Sequence, residues 1–376
     1  MKFVAWFSFS LCLCNGFNRN INFSTRQAIL GESASFRRDS TLDEIPIIET
    51  FQPPISSTPS LGSKISEGIL SSLFKIKPLF NVASRNARKM MVERGREISV
   101  DWDQNVQSLN NNIVDLTNIY DKILSKKLKY PSYYLKAFHA YEEGNLSWKA
   151  AMEVDSAALT VHAHLYTESQ KILERDGDAK LRDNFHRNMK KIFERNNFYP
   201  SRILDIGCST GLSTFKFFES FPGVEVIGLD LSPFMLAVAE YKLKADPILS
   251  KEAKVSFIHA AGESTSLAPG DCDLVTVCLV SHELPASASA AVFQEAYRVL
   301  PSGGAIAVMD MDPDSDSFRK LTSNPFALAA FKSTEPWLQE YVSMDLYQTL
   351  RDSGFAKVQM LSNSPRHRTV VAFKTS

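Results

Sequence analysis

The stretch Ile203-Leu204-Asp205-Ile206-Gly207-Cys208-Ser209-Thr210-Gly211 constrains the fold of this chain more than any other. It is a short apolar run that ends in a turn with two glycines, and a segment of helical period, Leu212 to Phe221, follows at once. Run, turn and helix together make the first half of a strand–helix–strand unit. Beyond Tyr199-Pro200 the alternation repeats, with apolar runs from Arg202 to Cys208, Glu225 to Leu231, Val255 to Ala261, Asp273 to Val280, Ala305 to Met311, Lys357 to Leu361 and Thr369 to Phe373. Short runs separated by helical patterns predict an α/β fold, with a mostly parallel, doubly wound sheet covered by helices on both faces.

The region before that sheet has a different texture. From Lys64 to about Asn197 apolar residues recur at helical spacing, as in Ile69, Leu70, Leu73, Phe74 and again in Ile113, Leu116, Ile119, Tyr120, Ile123 and Leu124. Residues 64–198 therefore read as a helical region, broken at Pro131, with Ser147 placed to cap a helix to about Tyr166 and Asp178 to cap another through Phe193. Residues 199–376 form the sheet-bearing domain.

The glycine turn reads as a ligand site, because glycine lets a ligand approach the backbone and the following helix offers free N–H groups to an anion. A dinucleotide fingerprint needs Gly-x-Gly-x-x-Gly, but Ser209 and Leu212 stand at the second and third glycine places, which disfavours NAD and FAD. The spacing Asp-x-Gly-x-Ser-x-Gly and the acidic residue closing the second run, in Gly228-Leu229-Asp230-Leu231-Ser232, have companions further on. They are Gly262-Glu263, Cys272-Asp273-Leu274-Val275 and Arg298-Val299-Leu300-Pro301-Ser302-Gly303-Gly304. In this order they resemble the class I S-adenosylmethionine-dependent methyltransferases, over about residues 200 to 376. The catalytic domain is most similar to the ubiquinone/menaquinone-biosynthesis and type 11 methyltransferases. The helical lead-in resembles plastid and cyanobacterial relatives of unassigned substrate.

The resemblance implies a Rossmann-like sheet with a terminal antiparallel strand behind a helical cap, and S-adenosylmethionine as cofactor. It implies that Asp205, Gly207, Ser209 and Gly211 form the methionine turn, with Asp205 orienting the methionine amino group. Asp230 would hold the ribose hydroxyls, Leu231 would flank the adenine, and Gly262, Glu263 and Leu279 would complete the cofactor site. Many relatives carry Asp at the place of Ala261; here either Glu263 or backbone near Gly262 must meet the adenine amino group.

Ligands of such sheets sit beyond the carboxyl ends of the strands. His282 and Glu283, after the fourth run, are accordingly the candidate catalytic residues, as bases for a hydroxyl or an enolisable carbon; the alternative is that they bond the loop or cap the helix near Ala286. The connection Asn363-Ser364-Pro365-Arg366-His367-Arg368 brings Arg366 and His367 to the same edge, as acceptor-binding cations or as a solvated hairpin. Tyr134, His139, Tyr141 and Trp148 lie in an aromatic segment before the domain and suit an apolar, ring-bearing acceptor or plain helix-to-sheet packing. No metal-ligand set is assigned.

The amino terminus predicts targeting. Met1-Lys2, an apolar run from Phe3 to Cys14 and Asn15-Gly16 match a signal peptide over 1–16, and this run is too short to span a bilayer. Residues 17–45 begin at Phe17, hold Arg19, Arg26, Arg37 and Arg38, and resemble a transit peptide; Pro-rich and Ser-rich 46–63 reads as a linker. The two-part leader points to a plastid, with the secretory pathway as the alternative. Beyond it only Cys208, Cys272 and Cys278 remain, which is no disulfide framework.

With 42 Lys+Arg against 42 Asp+Glu the chain lacks the basic excess that nucleic-acid binding requires. A local excess, seven cations against Glu93 between Lys75 and Arg96, makes 70–96 a candidate for peripheral membrane contact or a solvated helix. The expectation is methyl transfer to a small apolar acceptor, a quinone or another plastid metabolite or lipid, and the alternative is a non-catalytic S-adenosylmethionine-binding assembly or regulatory factor.

Overall fold

The computed structural model describes residues 88–137, 141–167, 170, 172–323 and 334–375. The leader, the linker, residues 64–87 with most of the basic stretch, and His139 lie outside the described residues.

Among the described residues, the cap is helical over 88–97 and contains α1 (Trp102–Asn110), α2 (Ile113–Ile123), α3 (Trp148–His162) and α4 (Gly177–Arg195). Ser147 caps α3 as expected, its hydroxyl accepting the Ala150 N–H at 3.2 Å. Asp178 does not cap α4; Asp176 occupies the cap position. Asp178 turns inward because Arg182, one turn on, donates to it at 2.9 Å and His162 bonds it at 2.8 Å. A buried carboxylate gains more from these charge-assisted bonds than from a cap.

The sheet contains β1 (Arg202–Ile206), β2 (Glu225–Asp230), β3 (Lys254–His259), β4 (Leu274–Cys278), β5 (Ala305–Met311), β6 (Phe355–Ser364) and β7 (His367–Lys374). Their order is β3-β2-β1-β4-β5-β7-β6. β1 pairs in parallel with both β2 and β4, whereas β7 runs antiparallel between β5 and β6. Seven strands with a terminal antiparallel pair match the expected Rossmann-like sheet. Between them lie α5 (Leu212–Ser220), α6 (Pro233–Ala245) and α7 (Ala286–Val299), and α8 (Asp316–Ser323), α9 (Leu338–Ser343) and α10 (Leu346–Asp352) follow β5.

Side-chain alternation sorts the strands between two cores. Leu204, Ile206, Val275, Val277, Ile306 and Val308 pack with α7 and α10, while Ile203, Leu274, Ala307 and Met309 pack with α4 and α5. A third cluster, with Leu116, Ala151 and Met152 against Met235 and Val238, seats the cap on α6. The chain order reverses between β1 and β4, so their carboxyl ends flank the crevice where a sheet of this kind takes its ligand.

Candidate functional site

The turn after β1 depends on left-handed backbone at Gly207 (φ +72°), Ser209 (φ +50°) and Gly211 (φ +85°). A Cβ on Gly207 would also lie 2.5 Å from Val280 Cγ2, so glycine there allows the loop after β4 to close against the turn. Ser209 adopts this conformation without being glycine, and its N–H is anchored by Asp230 Oδ2 at 2.8 Å. Asp230 Oδ1 accepts the Ser232 N–H at 2.7 Å. Each carboxylate oxygen thus takes one backbone bond at short distance, and the carboxylate at the end of β2 is a hydrogen-bond acceptor of the kind a vicinal diol needs. Burial raises the Asp230 pKa, opposed by the Ser232 and Ser209 N–H groups and the Tyr134 hydroxyl.

Asp205 is only 1% exposed and accepts hydroxyls from Thr214 at 2.8 Å and Thr276 at 2.9 Å. Burial, only partly offset by those bonds, pushes its pKa up to about 6. Its bonds tie β1 to α5 and β4, so it orients the turn, as the resemblance implied.

On the β3 side, the Tyr133 hydroxyl donates to Glu263 Oε1, and Glu263 Oε2 is buried with no hydrogen-bond partner among the described residues. An orphaned carboxylate oxygen beyond β3 is the kind of acceptor an adenine amino group needs, which favours Glu263 over backbone as the replacement for the Asp absent at Ala261. Gly262 has a packing reason, since a Cβ there would lie 2.8 Å from Ile206 Cγ2. Leu231 is buried at the end of β2, and its carbonyl accepts from His259 Nε2 at 3.0 Å. The carboxylate of Asp230, the orphaned oxygen of Glu263 and the apolar Leu231 fit an adenosine.

Tyr134 faces both Asp230 and Glu283, and burial first, then these carboxylates, holds its phenol well above the usual value. It stands between the cofactor side and the loop after β4. Tyr141 and Trp148 do not join it. Tyr141 donates to Glu153 at 2.8 Å, and Trp148 meets Phe234 edge-on at 5.1 Å, so both serve the packing of the cap.

Beyond β4, Leu279 holds a left-handed conformation (φ +59°) with its N–H on Met309 O at 2.7 Å, which is strained for a residue with a branched side chain. The next turn carries His282, whose Nδ1 lies 2.7 Å from Asp310 Oδ1 and whose N–H donates to Asp310 Oδ2 at 3.1 Å. Burial alone would lower the His282 pKa, but Asp310, by charge and hydrogen bond, with Glu283 and Glu335, lifts it to about 10. With Asp310 favouring its charged form, His282 is placed to donate through its outer nitrogen more readily than to take up a proton there. It does not cap α7: the Ala286 N–H is taken by Glu340 at 3.0 Å. Glu283 stays in the short turn of helix Ser281–Glu283, beside His282 and Tyr134.

The hairpin after β6 is no solvated loop. His367 and Arg368 are 7% and 6% exposed. His367 bonds the Ser364 hydroxyl at 2.8 Å, and burial drives its pKa well below the ordinary value, so it is neutral and not the cation expected. Arg368 faces Asp312 at 3.7 Å, and Arg366 occupies the turn. Of the basic stretch, Arg88 pairs with Glu153 at 2.6 Å, Lys89 with Glu93 at 3.9 Å and Arg96 with Asp103 at 3.6 Å, so these three charges are met within the chain.

Three contributors escaped the sequence reading. His259 closes β3, the position that singled out Asp230 on β2, and Asp310 stands one residue before the end of β5, so the strand-end rule contains the signal for both. His259 Nδ1 accepts the Ser125 N–H at 2.9 Å, fixing the cap to the sheet. Asp155 on α3 accepts Thr210 Oγ1 at 2.5 Å and Lys242 Nζ at 2.7 Å, clasping the glycine turn from the cap. Nothing local announces that contact.

Residues 203–304 match the family model of a methyltransferase domain. A demethylmenaquinone methyltransferase of Geobacillus sp. (strain WCH70) is 30% identical over 177 residues, covering 43% of this chain and 73% of that protein. A demethylmenaquinone methyltransferase of Thermus thermophilus is 33% identical over 114 residues, covering 30% of this chain and 49% of that protein, so the chain spans about half the length of this relative. Among solved structures, phosphoethanolamine N-methyltransferase 2 of Haemonchus contortus, in complex with S-adenosyl-L-methionine, is similar at 17% identity and a TM-score of 0.38, covering 50% of this chain and 53% of that one. The fold and the site define a nucleotide-type α/β transferase. The chain belongs to the class I S-adenosylmethionine-dependent methyltransferases of the ubiquinone/menaquinone-biosynthesis type, and its cofactor is S-adenosylmethionine.

Proposed function

We propose that this protein transfers a methyl group from S-adenosylmethionine to a ring carbon of an apolar quinol, and that it does so in a plastid. The observation that carries the reading is the pairing of the Asp230 carboxylate at the end of β2 with Glu263, beyond the adjacent β3, which keeps an orphaned buried oxygen. The activity for which the similar demethylmenaquinone methyltransferases are named supports the acceptor class. The two-part leader read in residues 1–45 supports the compartment.

The methyl donor is already activated, so the chain's contribution is chiefly position, worth about 7 to 11 kcal/mol when reacting atoms are held in line. Asp230 and Glu263 would hold the nucleoside, the turn at Gly207 to Gly211 would hold the methionine end at the β1–β4 crevice, and Tyr134 with the loop at 280–283 would enclose the acceptor. The test is mass analysis of isoprenoid quinones from cells lacking the protein, fed labelled methionine. One quinone should lose its label and accumulate one methyl lighter; an unchanged quinone profile refutes the acceptor.

A further inference from the structure

Asp310 is a wholly buried carboxylate one residue before the end of β5, with 0% of its side chain exposed. It accepts three hydrogen bonds, from His282 N at 3.1 Å, His282 Nδ1 at 2.7 Å and the Met311 N–H at 2.7 Å. Among the described residues its one ion pair is with His282. A carboxylate so deeply buried needs a cation, and a histidine gripped at both its backbone N–H and its Nδ1 is that cation. The His282 side chain is 12% exposed, and among the described residues Nε2 makes no hydrogen bond. The second N–H therefore remains for a ligand.

We propose that His282, held as an imidazolium by Asp310, binds the oxyanion of a hydroxy-aromatic acceptor through Nε2 and so directs methylation to the ring carbon beside it. Asp310 is the positioning residue. The proposal rests on the methyltransferase reading and goes beyond it by naming the ionic form of the acceptor and the origin of the carbon preference.

The chemistry balances without a base at His282. The acceptor hydroxyl loses its proton to water as the imidazolium stabilises the anion. The oxygen pair, partly engaged by the Nε2–H, is a poorer nucleophile than the ring carbon ortho to it. That carbon forms the new bond to the methyl group, the sulfonium S–C bond breaks with its pair remaining on sulfur, and the ring proton then leaves to water. A neutral histidine could not supply this field; a charged one in a shielded site is worth far more than in solvent. The titratable groups facing His282 are Asp310 on β5, Glu283 on its own turn, Glu335 and Tyr341 from the segment that ends in α9, and His367 on β7. The first three favour the charge. Tyr341 is neutral and sends its hydroxyl to Met311 O, and His367 is neutral by burial.

The experiment uses the full chain saturated with S-adenosylhomocysteine. Nitrogen NMR of labelled histidine should show both His282 nitrogens protonated through pH 8, and D310N should let the ring titrate below that. The probe is 4-nitrophenol, whose colour reports its ionisation. Bound to the wild type, its apparent pKa should fall by one unit or more, a tenfold gain for the anion, and in H282Q the shift should vanish. A neutral His282 at pH 7.5, or wild-type protein that leaves the dye's ionisation unchanged, overturns the proposal. Calorimetry of S-adenosylhomocysteine on the same wild-type preparation separates the two levels: no binding there refutes the methyltransferase reading, whereas binding without the histidine signature refutes only this inference.

Discussion

Replacing Asp230 by Asn tests the cofactor site and the turn together, and the structure gives the two effects different sizes. The carboxylate receives backbone N–H groups from Ser209 at 2.8 Å and Ser232 at 2.7 Å, one on each oxygen. An amide keeps one acceptor and turns an NH2 toward the other donor, so one buried N–H loses its partner at about 1 to 3 kcal/mol. For a domain of this size that lowers Tm by about 2 to 12 °C. The lost charge-assisted bond to a ribose hydroxyl is a further 1.5 to 3 kcal/mol, approximately, felt only on binding, and corresponds to about a 10- to 150-fold weaker S-adenosylhomocysteine complex. Calorimetric titration reads the second effect and thermal unfolding of the free protein reads the first. A D230N protein that melts lower yet binds S-adenosylhomocysteine within twofold of wild type would show that Asp230 only holds Ser209 in its left-handed conformation, and the ribose assignment would be wrong.

Two other expectations concern the acid range and the cap. His186 is 3% exposed, packs on Phe217 at 4.4 Å and has no partner on either ring nitrogen, and burial pushes its pKa down to about 3. The unfolded ring, with a pKa near 6.5, takes its proton first as pH falls, so stability is lost below about pH 6.5 and by about 2 kcal/mol at pH 5; in urea titrations at pH 7.5 and 5, H186L should lose that much less than wild type, and parallel losses would refute it. Asp155 and Lys242, 38% and 25% exposed, clasp Thr210. A double-mutant cycle of D155A and K242A should give a coupling of about 0.5 to 1 kcal/mol, with S-adenosylhomocysteine bound a few-fold more weakly by D155A; unchanged affinity would show that the cap does not steady the turn.

The sheet was legible because its inner strands, β1, β2, β4, β5 and β7, are buried on both faces and so write themselves as largely apolar runs, in contrast to the edge strands β3 and β6. Ala305 to Met311 was bounded as read, while β6 extends past the Lys357 to Leu361 run to Phe355–Ser364. The extension is polar because Asn363 and Ser364 bond side chains across the hairpin, Thr369 to Asn363 at 2.8 Å and Ser364 to His367 at 2.8 Å. The turn and Asp230 were legible from spacing. What the sequence could not show was charge state and distant pairing. His282 and His367 look alike in a string of letters, yet one gains a buried carboxylate and becomes a cation while the other gains only burial and stays neutral. The contacts of Tyr133 with Glu263 and Tyr130 with His259 join segments about 130 positions apart, and hydrophobic period carries no record of them.

The anchoring points divide the site into two halves with different builders. Asp155 reaches Thr210 after β1, the Ser232 hydroxyl after β2 donates to Asn145 O at 2.7 Å, and Tyr130 and Ser125 meet His259 at the end of β3. The cap therefore grips the three strand ends that hold the nucleoside, and any change that loosens it acts first on cofactor binding. The ends of β4, β5 and β7 are instead enclosed by later chain: Glu340 caps α7, the Tyr341 hydroxyl donates to Met311 O, and Arg368 faces Asp312. His282 and Asp310 lie in this second half, and under the proposed function the acceptor would meet residues after β4 together with the cap residue Tyr134, which faces both Asp230 and Glu283. The two halves meet at Tyr134, at the Asp205–Thr276 bond and where Val280 packs on Gly207, but they are anchored by different segments of the chain. This separation is the physical reason that the sequence named the cofactor more readily than the acceptor.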